Sequence, residues 1–159
     1  MEQAIKQQIK RITLRKANQE DAKFLFDLRN NPNLFKYYKS PRPVEEKEHL
    51  TWLEKVFSGE AKKYLFILEF EGETAGQLRI DEFRESKAEI NIALQEGFQG
   101  KGLGTLALQE GVKLAKQLGF KELIAEIHQD NLASLKLFQK ACFSFNKAQA
   151  PWQTFILKI

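Results

Sequence analysis

The sequence predicts a single α/β domain, in which a mixed central sheet of six or seven strands is flanked by about four helices. Its length, 159 residues, is that of one ordinary domain, and no linker, internal repeat or low-complexity segment interrupts it. The hydrophobic pattern switches between strand and helix periods in the order β-α-α-β-β-β-α-β-α-β-β. A strand, a helix and a strand follow one another across residues 88–128, which predicts one parallel pair within an otherwise antiparallel, α+β-like layout.

The first elements are a strand and two helices. Residues 11–17, RITLRKA, alternate apolar and polar side chains as a half-buried strand does. Residues 18–30 predict a helix that is capped by Asn18. Three prolines and several asparagines in residues 30–44 predict a loop, and residues 44–59 predict a second helix that ends at Gly59. The apolar faces of the two helices are predicted to contain Ala22, Leu25, Phe26, Leu28, Leu50, Leu53, Val56 and Phe57, with Trp52 in the core.

Strands dominate the middle and the end of the chain. Residues 63–83 predict a hairpin that turns at Glu71-Gly72-Glu73, and residues 87–95 predict a third alternating strand. A long helix follows and ends at Gly119, with a face predicted to contain Leu103, Ala107, Gly111, Leu114 and Leu118. The remaining elements are a strand over 120–128, a helix that starts near Asp130 or Asn131, and a closing pair of strands.

Composition restricts the class of protein. The charged fraction is 29% and the apolar fraction 43%, as in soluble globular domains. No apolar run approaches the ~20 residues that cross a bilayer, and the N-terminus lacks the apolar stretch of a secretory signal. We therefore expect a cytoplasmic protein without a membrane partner. The net charge of +4 is spread over interleaved Lys and Glu residues, so we expect no nucleic-acid partner.

The scarcity of cysteine and histidine excludes two kinds of site. Cys142 is the single cysteine, which rules out an intramolecular disulfide and a cysteine-based zinc site. We expect it to be a small, buried structural residue. The two histidines, His49 and His128, are far apart and have no partners at ligand spacing, so no metal is expected.

A cluster of glycines marks the start of the long helix. Residues 96–111, EGFQGKGLGTLALQEG, contain five glycines, and Gly100, Gly102 and Gly104 alternate. Free N–H groups and the helix dipole bind anions at a helix start, and glycine allows a phosphate to approach the backbone. A mobile turn would need one glycine only. The spacing matches neither the Walker pattern nor Gly-x-Gly-x-x-Gly, but it predicts a phosphate-binding loop.

The segment QGKGLG, residues 99–104, resembles the pyrophosphate-binding signature of the GNAT superfamily of N-acetyltransferases. The flanking segments INIALQEGFQGKGLGTLAL and LIAEIHQDNLASLKLFQKACF are similar to the strand, loop and helix units of that family. The resemblance implies a GNAT-like fold, transfer of an acetyl group from acetyl-CoA to a primary amine, and acetyl-CoA as co-substrate. It implies cofactor contacts at Ile92, Leu94, Gln99, Gly100, Lys101, Gly102, Leu103, Gly104, Thr105, Asn131, Ser134 and Phe138. The N–H near Leu94 would then help to hold the oxyanion.

The attacking amine must lose a proton, and Glu126 is the predicted acceptor. Strand alternation places it on the same face as Ile124 and His128, and its position resembles that of a catalytic glutamate in ribosomal-protein alanine acetyltransferases. A solvent-facing glutamate is the competing interpretation, and His128 or a water chain stays an alternative base. Phe138 stands where the family often has a tyrosine that protonates the leaving thiolate, so the general acid is left open.

The first half of the chain resembles acetyltransferases of amino-sugar nucleotides in pseudaminic-acid and related polysaccharide pathways. The similar segments are LRNNP, EHLTWL and AGQLRID. This implies an acceptor site at Arg29, Asn30, Tyr38 and Arg79, with Arg42 as a further phosphate ligand and Phe35 or Tyr37 as further stacking surfaces. Loop packing is the competing interpretation for the aromatic residues.

Two other functions stay open. The first is a ribosomal-type N-terminal protein acetyltransferase. The second is a non-catalytic module that binds acetyl-CoA, which the absence of a tyrosine at Phe138 keeps open. An open sheet edge near the C-terminus is also expected to be able to support a homodimer.

Overall fold

A mixed seven-stranded sheet, ordered β1-β2-β3-β4-β5-β7-β6, organises the computed structural model, which describes residues 12–159. Arg11, in the first predicted strand, lies outside the described residues. The strands are β1 Ile12–Lys16, β2 Lys63–Phe70, β3 Glu73–Arg84, β4 Lys87–Leu94, β5 Glu122–His128, β6 Ser144–Gln149 and β7 Trp152–Lys158. The helices are α1 Ala22–Arg29, α2 Pro32–Phe35, α3 Glu46–Ser58, α4 Leu103–Gln117 and α5 Leu132–Lys140. The predicted fold class and the predicted order of its main elements are confirmed.

The two faces of the sheet carry different helices. On β2, Leu65 and Ile67 pack with α1 and α3, whereas Phe66 and Leu68 belong to clusters that contain side chains of α4. Because successive residues of a strand point to opposite faces, α1 and α3 cover one face and α4 covers the other. The sheet is therefore the middle layer of three, with core on both sides.

Two glycines allow close packing around the middle of the sheet. A Cβ added at Gly76 on β3 would lie 2.2 Å from the backbone oxygen of Ala93 on β4. One added at Gly111 on α4 would lie 2.5 Å from Leu78 Cδ1 on β3. Both distances are far below van der Waals contact. The neighbour of Gly76 is backbone, so only glycine fits there, whereas a Cβ at Gly111 would require the Leu78 side chain to shift. Gly111 thus brings α4 directly onto the sheet.

The strands β4 and β5 form the predicted parallel pair, but they pair over three residues only. The register runs from Lys87–Glu122 to Glu89–Ile124, and both strands continue beyond it. All other pairings in the sheet are antiparallel. Beyond Glu89 and Ile124 the two strands part, and this gap leads to the two cavities described below.

The predicted loop over residues 30–44 contains a short helix, α2, so that prediction was wrong over four residues. Asn31 caps α2, because its side chain accepts a hydrogen bond from the N–H of Asn33, and Pro32 occupies the first turn. Proline is compatible with the first turn since the N–H it lacks has no partner there. In the sequence, the same asparagine and proline predict a loop, because both residues are also common in turns.

Three predictions of burial were wrong. Leu50 and Leu118 are 43% and 42% exposed, because the buried stripe of α3 is His49, Leu53 and Val56, and because α4 ends before Leu118. Cys142 is exposed and has φ +70°. It follows the end of α5 in the left-handed conformation that favours glycine.

The edge of the sheet near the C-terminus is β6, whose six residues are all exposed. This is the open edge on which the homodimer was predicted, and the homodimer stays a prediction. Within residues 12–159, no helix is long and apolar enough to cross a membrane.

Candidate active site

The glycine loop, residues 99–104, lies between β4 and α4 and includes the first two residues of α4. Gly100 and Gly102 have φ of +74° and +77°, and a Cβ added at either would meet nothing within 4 Å. Gly102 is the N-cap of α4 and supplies no side-chain cap, so the first N–H groups of the helix have no partner from that residue. Open space beside unpartnered N–H groups is the arrangement that binds an anion.

A cavity of about 840 Å³, the large cavity, lies beside the glycine loop. It is bounded by β4, by the loop, and by the starts of α4 and α5. The predicted cofactor residues in its lining are Ile92, Leu94, Gln99, Gly100, Gly102, Gly104, Thr105, Asn131 and Ser134. The structure therefore brings together residues from three separate stretches of the chain around one space.

Two of these residues also hold the walls of the cavity in place. The side-chain N–H of Gln99 donates to the carbonyl of Leu94 at 3.0 Å, which joins the loop to the end of β4. The side chain of Asn131 accepts from the N–H of Ser134 at 3.3 Å and so caps α5. An N-cap of this kind is a structural role by itself.

Three predicted cofactor residues lie outside the lining of the large cavity. Leu103 is 5% exposed and packs in the apolar cluster under the loop, while the Lys101 ammonium lies 5.9 Å from the ring centroid of Phe98. Phe138 is 3% exposed and packs edge-on against Phe143, with ring centroids 5.0 Å apart. Phe138 is thus a core residue, because a phenyl ring without a polar atom gains most by full burial.

A second cavity of about 510 Å³, the small cavity, lies on the α1–α3 side of the sheet. Arg29, Tyr38, Arg79 and Glu126 line it, as predicted for neighbours of an acceptor. Asn30 does not. Its side chain donates to the carbonyl of Val44 at 3.0 Å and accepts from the Val44 N–H at 2.8 Å, so it holds the loop instead.

Tyr37 and Tyr38 line both cavities, and no other described residue does. They follow α2 and belong to the segment predicted as a loop, in which Tyr38 was predicted as an acceptor contact and Tyr37 as a further stacking surface. The ring of Tyr37 lies 5.8 Å from that of His128 at the end of β5. The two tyrosines therefore form the boundary between the cavities, close to the gap between β4 and β5.

The position of α2 is fixed to the segment before the glycine loop. Both Asn31 and Asn33 donate side-chain hydrogen bonds to the same oxygen of Glu96, at 2.9 and 2.8 Å. These hydrogen bonds, that of Asn33 first, lower the pKa of Glu96. Glu96 thus connects the wall that carries the two tyrosines to the loop of the large cavity.

Two arginines lie against aromatic rings in the small cavity. The Arg29 guanidinium is 5.1 Å from the centroid of Tyr38, and that of Arg79 is 5.4 Å from the centroid of Trp52. Arg29 also donates to the backbone carbonyls of Ser40 and Arg42, each at 3.1 Å. Trp52, predicted as core, is half-buried and contributes to this wall.

Two further candidates for the acceptor site lie outside the lining. Arg42 forms a 3.7 Å ion pair with Glu48, and Phe35 lies on α2.

Four carboxylates line the small cavity: Glu48, Asp81, Glu89 and Glu126. Glu126 pairs with the ammonium of Lys39. Glu89, on β4, was not predicted. Burial, followed by the charges of Glu126 and Asp81, raises its pKa above the usual range of a glutamate. The alternation AEIN on β4 was the available signal, but it does not distinguish a cavity from solvent.

The two histidines lie near this site without forming a metal centre. The Nδ1 atom of His128 accepts from the N–H of Asp130 at 3.1 Å, which leaves the proton of the neutral ring on Nε2. His49 is 6% exposed and lines the small cavity, and burial lowers its pKa. Within residues 12–159, no three His, Cys, Asp or Glu side chains form a group that could hold a metal ion.

The family model of the acetyltransferase (GNAT) domain matches residues 11–144. The chain belongs to the GNAT acetyltransferase family. The predicted family is thereby confirmed. Two sequence relatives agree with it. YwnH from Bacillus subtilis is 34% identical over 109 residues, 64% of each chain, so the match spans slightly less than two thirds of YwnH. Acetyltransferase PseH from Campylobacter jejuni is 26% identical over 128 residues, 80% of this chain and 79% of PseH.

Solved GNAT structures share the fold. Spermidine N-acetyltransferase from Vibrio cholerae, solved in complex with CoA and spermine, superposes with a TM-score of 0.81. The superposition covers 94% of this GNAT domain and 95% of that chain at 18% sequence identity. At this identity the likeness shows the fold, and the role of each residue has to be argued from the site itself.

Proposed function

We propose that this GNAT domain transfers the acetyl group of acetyl-CoA to the primary amine of an amino-sugar nucleotide. The observation that carries the proposal is the boundary formed by Tyr37 and Tyr38 between two cavities of different chemistry. The large cavity offers backbone N–H groups, and the small cavity offers carboxylates and arginines. A donor and an acceptor in the two cavities would meet at this boundary, which is the arrangement that direct transfer requires.

Acetyl-CoA would occupy the large cavity. Its diphosphate would lie against the N–H groups between Gln99 and Thr105, where the open backbone at Gly100 and Gly102 leaves room. Its pantetheine arm would run along β4, beyond the last pair with β5. The edge of β4 that faces the gap has no β5 partner there, so an N–H near Leu94 is free to stabilise the oxyanion.

Glu126, together with Glu89, would accept the proton of the attacking amine. An alkyl ammonium carries its proton at pH 7, and only the neutral amine is a nucleophile. Both carboxylates line the small cavity, on the strands that flank the gap. The raised pKa of Glu89 is closer to physiological pH than that of an ordinary glutamate, which suits a proton acceptor.

The acceptor class rests on the wall of the small cavity. Tyr38 and Trp52 offer flat rings, and Arg29 and Arg79 lie beside them. A nucleotide sugar supplies a base that stacks on an aromatic ring and phosphates that pair with guanidinium groups. The resemblance of the first half of the chain to amino-sugar-nucleotide acetyltransferases points to the same class.

A cationic amine without phosphate is the second candidate. The four carboxylates of the small cavity favour it, since they outnumber the three cationic side chains Arg29, Lys39 and Arg79. Arg79 is also paired with Asp81 at 2.9 Å, which reduces its capacity to bind a phosphate. A polyamine would place ammonium groups near these carboxylates.

A thiol-release assay tests the proposal. Acetyl-CoA is combined with UDP-glucosamine, spermine or a short peptide that has a free N-terminus. We expect the largest kcat/KM with UDP-glucosamine. A higher kcat/KM with spermine would favour the second candidate, a cationic amine without phosphate. A higher kcat/KM with the peptide would indicate a protein acetyltransferase. If acetyl-CoA binds but no acceptor causes release of the CoA thiol, the result would contradict enzymatic turnover and favour a binding module.

A further inference from the structure

A primary amine of the chain itself lies in the small cavity. Lys39 follows Tyr37 and Tyr38 directly in the sequence, and its ammonium pairs with the carboxylate of Glu126. The ammonium also lies 5.7 Å from the ring centroid of Trp152. Of the lysines in residues 12–159, Lys39 alone lines the small cavity. Lys36, Lys136 and Lys140 line the large cavity instead.

The contacts of Lys39 are those proposed for the acceptor amine. Under the proposed function, the substrate enters the small cavity as an ammonium ion and hands its proton to Glu126. Lys39 presents the same functional group, on a side chain with four methylene groups, to the same carboxylate. Its side chain is 63% exposed, so the ion pair is the main constraint on its position. Because this side chain is exposed, we expect it to change rotamer and to reach the boundary formed by the tyrosines.

We propose that Lys39 is a site of intramolecular acetylation, and that its unmodified ammonium occupies the place of the acceptor amine at Glu126. This inference rests on the proposed use of acetyl-CoA and on the role of Glu126. It does not depend on which amine is the natural acceptor, because the nucleophile belongs to the chain.

The step balances without a further reactant. Glu126 takes one proton from the Lys39 ammonium, and the neutral nitrogen attacks the thioester carbonyl of acetyl-CoA. The C–N bond forms, the nitrogen loses its second proton, the C–S bond breaks, and the electron pair of the C–S bond leaves with the sulfur. The CoA thiolate then takes up a proton, and the products are N-acetyl-lysine, CoA and one proton released to solvent.

Acetylation would change the small cavity. It removes the charge of Lys39 and with it the ion pair to Glu126, since an amide has no proton to give at neutral pH. An acceptor ammonium would then meet Glu126 without competition from an internal cation. The modified enzyme is therefore expected to have a lower KM for a cationic acceptor than the unmodified enzyme.

Mass spectrometry of the intact chain tests the inference. The wild-type protein is incubated with acetyl-CoA and no acceptor, and the acetylation rate of each lysine is measured on its peptide. Lys23 is the matched control, because it forms an ion pair with Asp27 at 2.9 Å but lines neither cavity. We expect Lys39 to be acetylated at least tenfold faster than Lys23. Protein unfolded in guanidinium chloride should lose this difference.

Two further measurements separate the mechanism from chemical acetylation. The fraction of Lys39 acetylated per minute should be unchanged over a tenfold range of protein concentration, because the reaction is intramolecular. Glu126→Gln should slow acetylation of Lys39 at least tenfold and leave Lys23 unaffected. Loss of a neighbouring carboxylate leaves more of the amine neutral, so purely chemical acetylation would accelerate in this variant.

Three outcomes would overturn the inference. They are acetylation of Lys39 no faster than that of Lys23, a rate that rises with protein concentration, and an accelerated rate in Glu126→Gln. If external amines are acetylated in the same preparation, the failure concerns Lys39 alone. If neither external amines nor Lys39 are acetylated although CoA binds, both the inference on Lys39 and the proposed function fail. Lys39→Arg, which keeps the charge, should lose the modification at this position and so confirm its assignment.

Discussion

Glu89 and Glu126 line the same cavity from two strands that part between them. Glu89 is in the last pair of the short parallel register of β4 and β5, opposite Ile124, and Glu126 lies two residues further along β5. The charge of Glu126 contributes to the raised pKa of Glu89. The negative charge of Glu126 disfavours ionisation of Glu89, and this repulsion is the electrostatic basis for the prediction on Glu89.

Replacing Glu89 should stabilise the protein at neutral pH. A carboxyl group whose pKa is raised on folding stabilises the fold below its unfolded pKa, and this contribution is lost as the pH rises through the folded pKa. Glu89→Gln removes the titration, so the Tm of the variant relative to wild type should be higher at pH 8 than at pH 4.5, by roughly 2 °C or more. Glu54→Gln on the exposed face of α3 is the control and should show no such trend. An equal effect at both pH values would contradict the raised pKa.

Replacing the proposed proton acceptor should lower turnover without weakening cofactor binding. Glu126→Gln should reduce kcat by about 10²–10⁴-fold, the usual contribution of a general base, because the amide accepts no proton. The affinity for CoA should stay nearly unchanged, since Glu126 lies outside the large cavity. Steady-state kinetics and calorimetry with desulfo-CoA measure the two effects. Unchanged turnover would remove Glu126 from the mechanism and leave Glu89, His128 or a water chain as the base.

The glycine loop should be sensitive to a side chain at Gly102. Gly102→Val places a β-branched residue at φ +77° and fills the open space beside the helix start, so the affinity for desulfo-CoA should fall at least about tenfold. Gly119→Val is a matched control, because its φ of +94° causes similar backbone strain at the other end of α4. Both variants should have a lower Tm, and the control should bind CoA as wild type does. Equal affinities in all three proteins would argue against phosphate binding at this loop.

The hydrogen bonds from Asn31 and Asn33 to Glu96 should affect the binding of acetyl-CoA more than the stability of the fold. Glu96→Ala removes the acceptor of both asparagine side chains, and we expect the KM for acetyl-CoA to rise about three- to tenfold. Glu96→Gln keeps a carbonyl oxygen as acceptor and should rescue most of the loss. Because the pKa of Glu96 is lowered, this contribution should persist at neutral pH and disappear only as the pH falls through that lowered pKa. A KM that is equal in wild type and Glu96→Ala would exclude the positioning role.

Asn30 should act on the loop and not on the acceptor directly. Asn30→Ala breaks two hydrogen bonds to the backbone of Val44, so the Tm should fall by about 2–6 °C. Asn30→Asp keeps the bond from the Val44 N–H and should lose about half as much. A variant that keeps its Tm but loses acceptor affinity would restore Asn30 as a substrate ligand.

Local patterns were sufficient for most of the fold. Alternation identified the strands, Gly59 and Gly119 ended their helices, and Glu71-Gly72 formed the hairpin turn with both residues at positive φ. These features depend on neighbouring residues and their backbone preferences, so sequence carries them directly. The same holds for the glycine loop, since the position of its glycines before a helix is itself the signal.

Contacts between distant segments could not be predicted in this way. The exposure of Leu50 and Cys142, the burial of Phe138 and the hydrogen bonds of Asn30 depend on which side chains other segments bring near them. Glu89 and Lys39 showed no distinguishing pattern, because a polar residue on a strand or in a loop faces a cavity as readily as it faces water.

The sequence by itself determined the order of the elements, the family signature and the glycine-rich helix start, all of which depend on short stretches of backbone. Only the tertiary structure decided that β4 and β5 part after three pairs, that Tyr37 and Tyr38 separate two cavities, and that Lys39 reaches Glu126 across 87 residues. The physical reason is that strand pairing and side-chain packing join residues far apart in the chain, and the environment that results sets their burial, charge and chemistry.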